Sequence, residues 1–161
     1  MPGAEFQLDA TQLKALIVKL STASRGEAMT RSMDQSGLYL TGWIKKFRLT
    51  GPRPRNLGVV TGRLRSSLSS SRAEKTSTGY TTRIGTNVKY AEVHEFGFRG
   101  VVRVRGFTRR RKGISEFVSA HSRRMDVPAR PFMRPALSDR TNQMKILDIF
   151  TVNINKVLEK K

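Results

Sequence analysis

The sequence predicts an α+β fold: a small antiparallel sheet packed by N-terminal and C-terminal helices, with a protruding basic β-hairpin. Three observations predict it. Apolar residues recur at helical spacing before residue 50 and again after residue 134. Between them, short alternating segments are separated by turn residues, as half-buried strands require. A dense run of arginines then interrupts the pattern where little apolar surface is available. At 161 residues the chain fits one domain, 1–161. Its parts are a helical N-terminal region (1–50), a region of sheet and short helices (61–98), a basic hairpin (99–127), and a Pro-rich segment with the C-terminal helix (128–161).

Taken in order, Asp9-Ala10-Thr11-Gln12 reads as a helix N-cap with Gln at N3, followed by Leu13, Leu16, Ile17 and Leu20 on one face. Ser21 to Gly26 reads as a break. A second helix carries Met29, Met33, Leu40, Ile44 and Phe47, with Gly37 on the same stripe, and stops at Thr50-Gly51-Pro52. Arg53 to Gly58 is a basic loop. Thr61 caps a short helix, 62–68, with Leu64 and Leu68 inward. Strands over roughly 69–75 and 80–85 flank a turn at 76–79. Asn87 caps a helical turn bearing Tyr90, Val93 and His94, closed by Gly97.

Residues 99–124 hold nine basic residues (Arg99, Arg103, Arg105, Arg109, Arg110, Arg111, Lys112, Arg123, Arg124) against one acid, Glu116. Val102 and Val104 alternate with Arg103 and Arg105, so the stretch begins as a strand with one cationic face. Thr108 to Gly113 reads as a polar turn and Ile114 to His121 as the returning strand. Such a hairpin buries little apolar surface by itself and is expected to be mobile in the free protein. Pro128, Pro131 and Pro135 hold the next segment extended, and Pro135 suits a first helical turn. The last helix is expected from about 134 to 160. Leu137, Met144, Leu147, Ile154 and Leu158 form its stripe, widened by Ile146, Ile149, Phe150 and Val157. No internal repeat is evident.

Composition narrows the function. Thirty-one basic against 12 acidic residues give a net charge of +19, which attracts polyanions and opposes compaction of an isolated monomer. The expected partner is nucleic acid or an acidic protein. The chain has no cysteine, which excludes disulfides and thiolate metal sites and fits a reducing compartment. No apolar run approaches the roughly 20 residues needed to span a bilayer, so no membrane partner is expected. No secretory signal is visible in 1–10, so the expected place of synthesis is the cytoplasm.

The residues that could carry chemistry are few. Glu92, His94 and Glu95 form the one His/carboxylate cluster, but the spacing matches no metal motif, and no metal or cofactor is expected. Glu92 and Glu95 share a helical face. Either His94 and Glu95 cap or hydrogen-bond locally, or Glu95 pairs with an arginine of a neighbouring subunit. The serine run 66–71 has no base and no nucleophile elbow, so no catalytic residue is expected. Arg103, Arg105, Arg109, Arg110, Arg111 and Lys112 are the candidates for partner or DNA contact. Non-specific phosphate contact and docking on an acidic protein surface fit equally, against the bland reading of a solvated loop.

Three motifs in this order carry a resemblance. They are Thr61-Gly62-Arg63-Leu64-Arg65-Ser66-Ser67-Leu68, Tyr90-Ala91-Glu92-Val93-His94-Glu95-Phe96-Gly97, and Pro128-Ala129-Arg130-Pro131-Phe132-Met133-Arg134-Pro135-Ala136-Leu137. Together they resemble the tail-completion or head–tail joining (neck) proteins of long-tailed phages, the virion morphogenesis family of Mu-like phages and its lambda-like relatives. The likeness covers roughly residues 61–140. It implies a structural virion protein that completes the tail and joins it to the head. It also implies a homo-oligomeric ring, six-fold favoured, between neck or connector proteins and tail-tube or terminator proteins. Location in the virion neck or head-proximal tail end, and possible contact with packaged DNA, follow from the same resemblance. Tyr90, Glu95, Phe96, Gly97, Arg130, Pro131 and Phe132 are then interface or structural-motif residues, with Phe96 and Phe132 anchoring the sheet–helix seam. The rival reading from the residues alone is a stand-alone basic nucleic-acid-binding protein, which salt dependence of binding would separate.

Overall fold

The molecule is organised on one long helix, α1 (Thr22–Phe47), in a computed structural model that describes Lys14, Ile17, Val18 and residues 22–52 and 56–159. The expected stripe forms it: Met29, Leu40 and Ile44 are buried, and Gly37 lies on the same face. Phe47 at the end of that stripe is instead 49 % exposed and lies against Trp43, ring centroids 5.4 Å apart. The expected break at 21–26 is not seen from Thr22 onward. Gly26 is helical, and its carbonyl accepts the Thr30 hydroxyl at 2.9 Å. A helical glycine costs about 1 kcal/mol, less than the burial of Ala28 and Met29 returns. The helix ends where expected. Arg48 and Leu49 N–H groups both reach the Ile44 carbonyl at 3.0 Å, and the Thr50 hydroxyl donates to the Lys45 carbonyl at 2.8 Å. Of the first expected helix, Lys14, Ile17 and Val18 are helical; its cap at 9–12 and Leu13, Leu16 and Leu20 lie outside the described residues, as does Arg53-Pro54-Arg55.

The following elements pack along α1, with Tyr80 of the hairpin reaching its N-terminal part at Ala28 and Met29 and Leu68 and Ala91 joining Leu40 and Ile44 toward its C-terminal end. They are α2 (Arg63–Ser67), β1 (Ser69–Ser70), β2 (Glu74–Thr76), β3 (Gly79–Thr81), β4 (Ile84–Gly85) and α3 (Tyr90–Phe96). Strands β1 and β4 pair antiparallel, as do β2 and β3, so the expected hairpin is a single two-stranded hairpin interrupted at 71–73 and 82–83. The hairpin is tied to α1 by the Ala73 N–H, which donates to the Asp34 carboxylate at 2.6 Å. It lies so close that a Cβ on Gly37 would meet Thr82 Oγ1 at 3.0 Å and Ser70 Cβ at 3.1 Å. Asn87 does not cap α3. The Thr86 hydroxyl accepts the Val88 N–H at 3.2 Å instead, and is itself held by Ser67 at 2.6 Å.

The expected basic hairpin is a two-tier ribbon. Its root pairs β5 (Phe98–Val104) with β8 (His121–Val127), and its distal tier pairs β6 (Phe107–Arg111) with β7 (Ile114–Val118). The turn is shorter than expected. β6 runs through 107–111, and only Lys112 and Gly113 connect the strands, at φ 50° and 85°. Positive φ at both positions is the primed geometry whose twist matches the flanking strands.

The expected last helix is two helices, α4 (Arg134–Ser138) and α5 (Arg140–Leu158). Asp139 separates them because its carboxylate accepts the Thr141 and Asn142 N–H groups at 2.8 and 3.3 Å, starting a new helix. Helix α5 lies antiparallel to α1. Near one end Met29 packs with Ile154, and near the other the Tyr39 hydroxyl donates to the Asn142 carbonyl oxygen at 2.8 Å. The buried face differs from the expected stripe: Met144 in α5 is 59 % exposed and Leu137 in α4 39 %, while Asn142 and Asn153 of α5 are inside. The body has two clusters. Leu40, Ile44, Leu49, Leu57, Leu68, Ala91, Phe132 and Ala136 form the larger, and Ala28, Met29 and Ile154 the smaller.

Asn142 bridges elements. Its amide donates to the Ala136 carbonyl at 2.9 Å while its oxygen holds Tyr39. Replacing it with alanine strands two buried groups, so Asn142→Ala should lower the unfolding free energy by about 2–3 kcal/mol and Tyr39→Phe by about 1. Urea denaturation followed by circular dichroism measures both.

Candidate functional site

The last turn of α3 carries Glu95, which is only 7 % exposed. A carboxylate buried this far needs partners. It has three: the Phe132 and Met133 N–H groups donate to Oε2 at 2.7 and 3.0 Å, and the Arg134 N–H donates to Oε1 at 3.0 Å. These are the donors that the start of α4 leaves without intrahelical acceptors. A helix start usually finds its cap in the preceding residue. Here the cap comes from 37–39 positions upstream. Three successive N–H groups converging on one anion form a compact positive pocket.

Neighbouring residues extend the contact into a staple. The Arg130 N–H donates to the His94 carbonyl at 2.7 Å. The Arg134 guanidinium lies over the Phe96 ring, 5.3 Å from its centroid, with Nε 4.0 Å from Glu95 Oε1. Gly97 has φ 77°, and a Cβ there would lie 2.9 Å from the Ala129 nitrogen and 3.0 Å from the Val127 oxygen. Both are backbone atoms that cannot swing away, so only glycine fits.

The predicted motif residues are therefore brought together within one chain. Glu95 does not bond locally: all three of its backbone donors are distant in sequence and belong to the same chain. Glu92 does not share its environment, being exposed while Glu95 is buried. Phe132 is 1 % exposed and anchors the seam, but Phe96 is 56 % exposed and serves as a platform for Arg134. Tyr90 is 41 % exposed and meets His94 edge-on at 5.8 Å, and Pro131 is exposed. Beside the staple an open groove of about 950 Å³ is lined by Val88, Ala91, Phe96, Met133 and Leu137 among others. Sequence reasoning missed Arg134 and Asn142. A Glu placed before a helix-terminating Gly, with an uncapped Pro-primed helix downstream, was the available signal.

The other candidate residues lie on the ribbon, where every residue from Arg105 to Phe117 is exposed. In the root tier, alternation works as expected. Phe98, Gly100, Val102, Val104, Met125 and Val127 are half-buried on one face, while Arg99, Arg103 and Arg124 are exposed on the other. Two ribbon cations have acidic partners, Arg99 with Asp126 at 3.4 Å and Arg109 with Glu116 at 3.0 Å. Arg103, Arg105, Arg110, Arg111, Lys112, Arg123 and Arg124 have none among the described residues. Phe107, Ile114 and Phe117 are 45, 72 and 71 % exposed on the distal tier.

Three serine hydroxyls of the 66–71 run bond to nearby carbonyls: Ser66 and Ser67 donate to the Arg63 and Leu64 carbonyls, and Ser71 to that of Arg72. Among the described residues no group of three His, Asp or Glu side chains could hold a metal ion.

Compared with known families, the chain matches the model of the phage virion morphogenesis family over residues 49–153, well over half its length. The matched span contains both sides of the staple and the whole ribbon. Among curated proteins and among solved structures nothing matches.

The staple predicts two losses of stability. Glu95→Ala should cost about 3 kcal/mol, since charge-assisted bonds to one buried and two half-buried backbone donors disappear. Gly97→Ala should cost about 2–4 kcal/mol through backbone strain and the two backbone contacts. Chemical denaturation reads each, and wild-type stability in Glu95→Ala would show the staple to be incidental.

Proposed function

The chain belongs to the phage virion morphogenesis family, and on that premise we propose that it completes the tail of a long-tailed phage and joins it to the head as a ring subunit in the neck. The family implies a structural part of the virion, and the reading assigns no catalytic residue. One observation carries the finer proposal. A body closed by its own staple projects a ribbon whose distal tier exposes Phe107, Ile114 and Phe117 as well as its arginines. An isolated two-stranded ribbon is marginal in water and gains stability when a partner covers it. An assembly part can leave such an arm uncovered until its neighbours arrive, because ordering is then offset by interface burial.

The groove beside the staple offers a second contact surface at the ribbon's root, the opposite end from its tip. Surfaces at opposite ends of one subunit suit head-to-tail contacts, which close into rings. A six-fold ring is favoured from the family resemblance, with a connector above and tail-tube or terminator proteins below. Among the described residues no helix is long and apolar enough to cross a membrane.

Electron microscopy of particles labelled with an antibody to this chain tests the reading. The expected label is a single collar between head and tail, and infection without functional protein should yield filled heads and finished tails that stay apart. Joined particles that lack the chain would refute it.

A further inference from the structure

We infer that the two-tier ribbon is a duplex-DNA contact that lies along a groove and grips phosphates on both sides of itself. The inference rests on the neck reading only for which duplex it meets, the packaged genome. The binding chemistry stands on the ribbon alone.

The first support is charge that has nowhere else to go. Residues 98–127 carry nine cations against two acids, Glu116 and Asp126, and both acids are already paired. Seven cations remain without an acidic partner among the described residues. Each is exposed, so its charge is open to a polyanion.

The second support is how the cations are placed. Cross-strand partners share a face. In the root tier, Arg103 and Arg124 belong to one face and Arg123, opposite Val102, to the other. In the distal tier, Arg109 and Arg111 share a face with Phe107 and Ile114, while Arg110 shares the other with Phe117. A flat acidic protein surface would meet one face and leave the other cations unsatisfied. A duplex groove presents a phosphate rail on each side, and the major groove admits a two-stranded ribbon.

The third support is length. From Phe98 to Arg111 the strand path is roughly 40 Å, about the advance of one duplex turn. Alternation of arginine with valine contains no bidentate reading set, so the contact is to phosphate and sugar and is sequence-tolerant. The exposed Phe107, Ile114 and Phe117 would rest against sugars along the groove wall.

The experiment is a salt titration of the full-length protein on a generic 24-base-pair duplex, followed by fluorescence anisotropy. Binding should weaken steeply, with a log–log slope of roughly −4 to −6 if five to seven cations displace counterions. The triple variant Arg110→Ser, Arg111→Ser, Lys112→Ser should flatten that slope by about 3 units. Phe117→Ala should weaken binding without changing the slope, which a purely electrostatic tether would not do. Removing three cations from the body (Lys45, Lys46 and Arg63) should leave the slope unchanged. All substituted side chains are exposed or half-buried, and circular dichroism confirms folding.

An unaltered slope in the ribbon variant would overturn the inference, as would a body variant that loses binding equally. Equal binding of a polyglutamate peptide would overturn it in favour of an acidic protein partner. Failure to bind duplex at 50 mM salt, in a protein that still labels the neck of particles, would overturn the DNA contact and leave the assembly role standing. Duplex binding by a protein absent from particles would support the contact and defeat the assembly role.

Discussion

A single carboxylate closes this fold. Glu95 faces three backbone N–H groups at the start of a short helix, and those groups could not be left bare in the interior. That contact fixes the segment 132–134, where the chain returns from the ribbon and enters α4. It seats Phe132 in the larger cluster, and from Phe132 the chain turns through α4 to Asp139 and then along α1. The staple is worth more than its hydrogen bonds because it converts two segments separated by a long excursion into one local unit. His94, Phe96 and Gly97 each add a contact to the same segment, so the seam is determined redundantly.

The body around the staple is small and partly polar inside. Ser32, Asn142 and Asn153 are at most 2 % exposed, and all three have hydrogen-bond partners. Asn153 reaches Gln35 at 2.8 Å across the α1–α5 interface, and Asn142 reaches Tyr39. Such pairs fix the register of two helices more sharply than apolar packing does, since a shift of one turn would strand every member. The staple and the paired amides thus do similar work: each fixes a geometry that a modest apolar core would leave loose.

Much of this architecture could be read from residues. The end of α1, the short helix with Leu64 and Leu68 inward, the two-stranded hairpin and the ribbon follow from spacing and turn chemistry. The split of the last helix at Asp139 was less legible, because an Asp inside an apolar pattern reads as a solvated residue until its side chain is seen capping. The stripe after residue 134 differs because asparagines at buried positions read as polar, while Leu137 in α4 and Met144 in α5 read as core. Glu95 was legible as important but not in its role. A local cap is a short-range idea about a Glu in a basic chain. The actual partner was backbone, and backbone donors leave no mark on the side-chain alphabet. The ribbon's arginines were visible, but the state of pairing of each and the face each occupies depend on register, which alternation alone fixes only near Val102 and Val104.

The ribbon is also a cantilever. It leaves the body at Phe98 and returns at Val127, directly opposite each other in the ladder, and both roots adjoin the stapled segment. A sideways load at the tip is therefore multiplied by the length of the arm at the clamp formed by Gly97, Arg130 and Glu95. Flexing has a natural site at the interruption between tiers, Arg105-Gly106 on one strand and Ser119-Ala120 on the other, where the ladder stops and resumes. The body is thereby shielded from whatever the tip grasps, and the stiffness of the joint rather than that of the fold sets how far the arm can search.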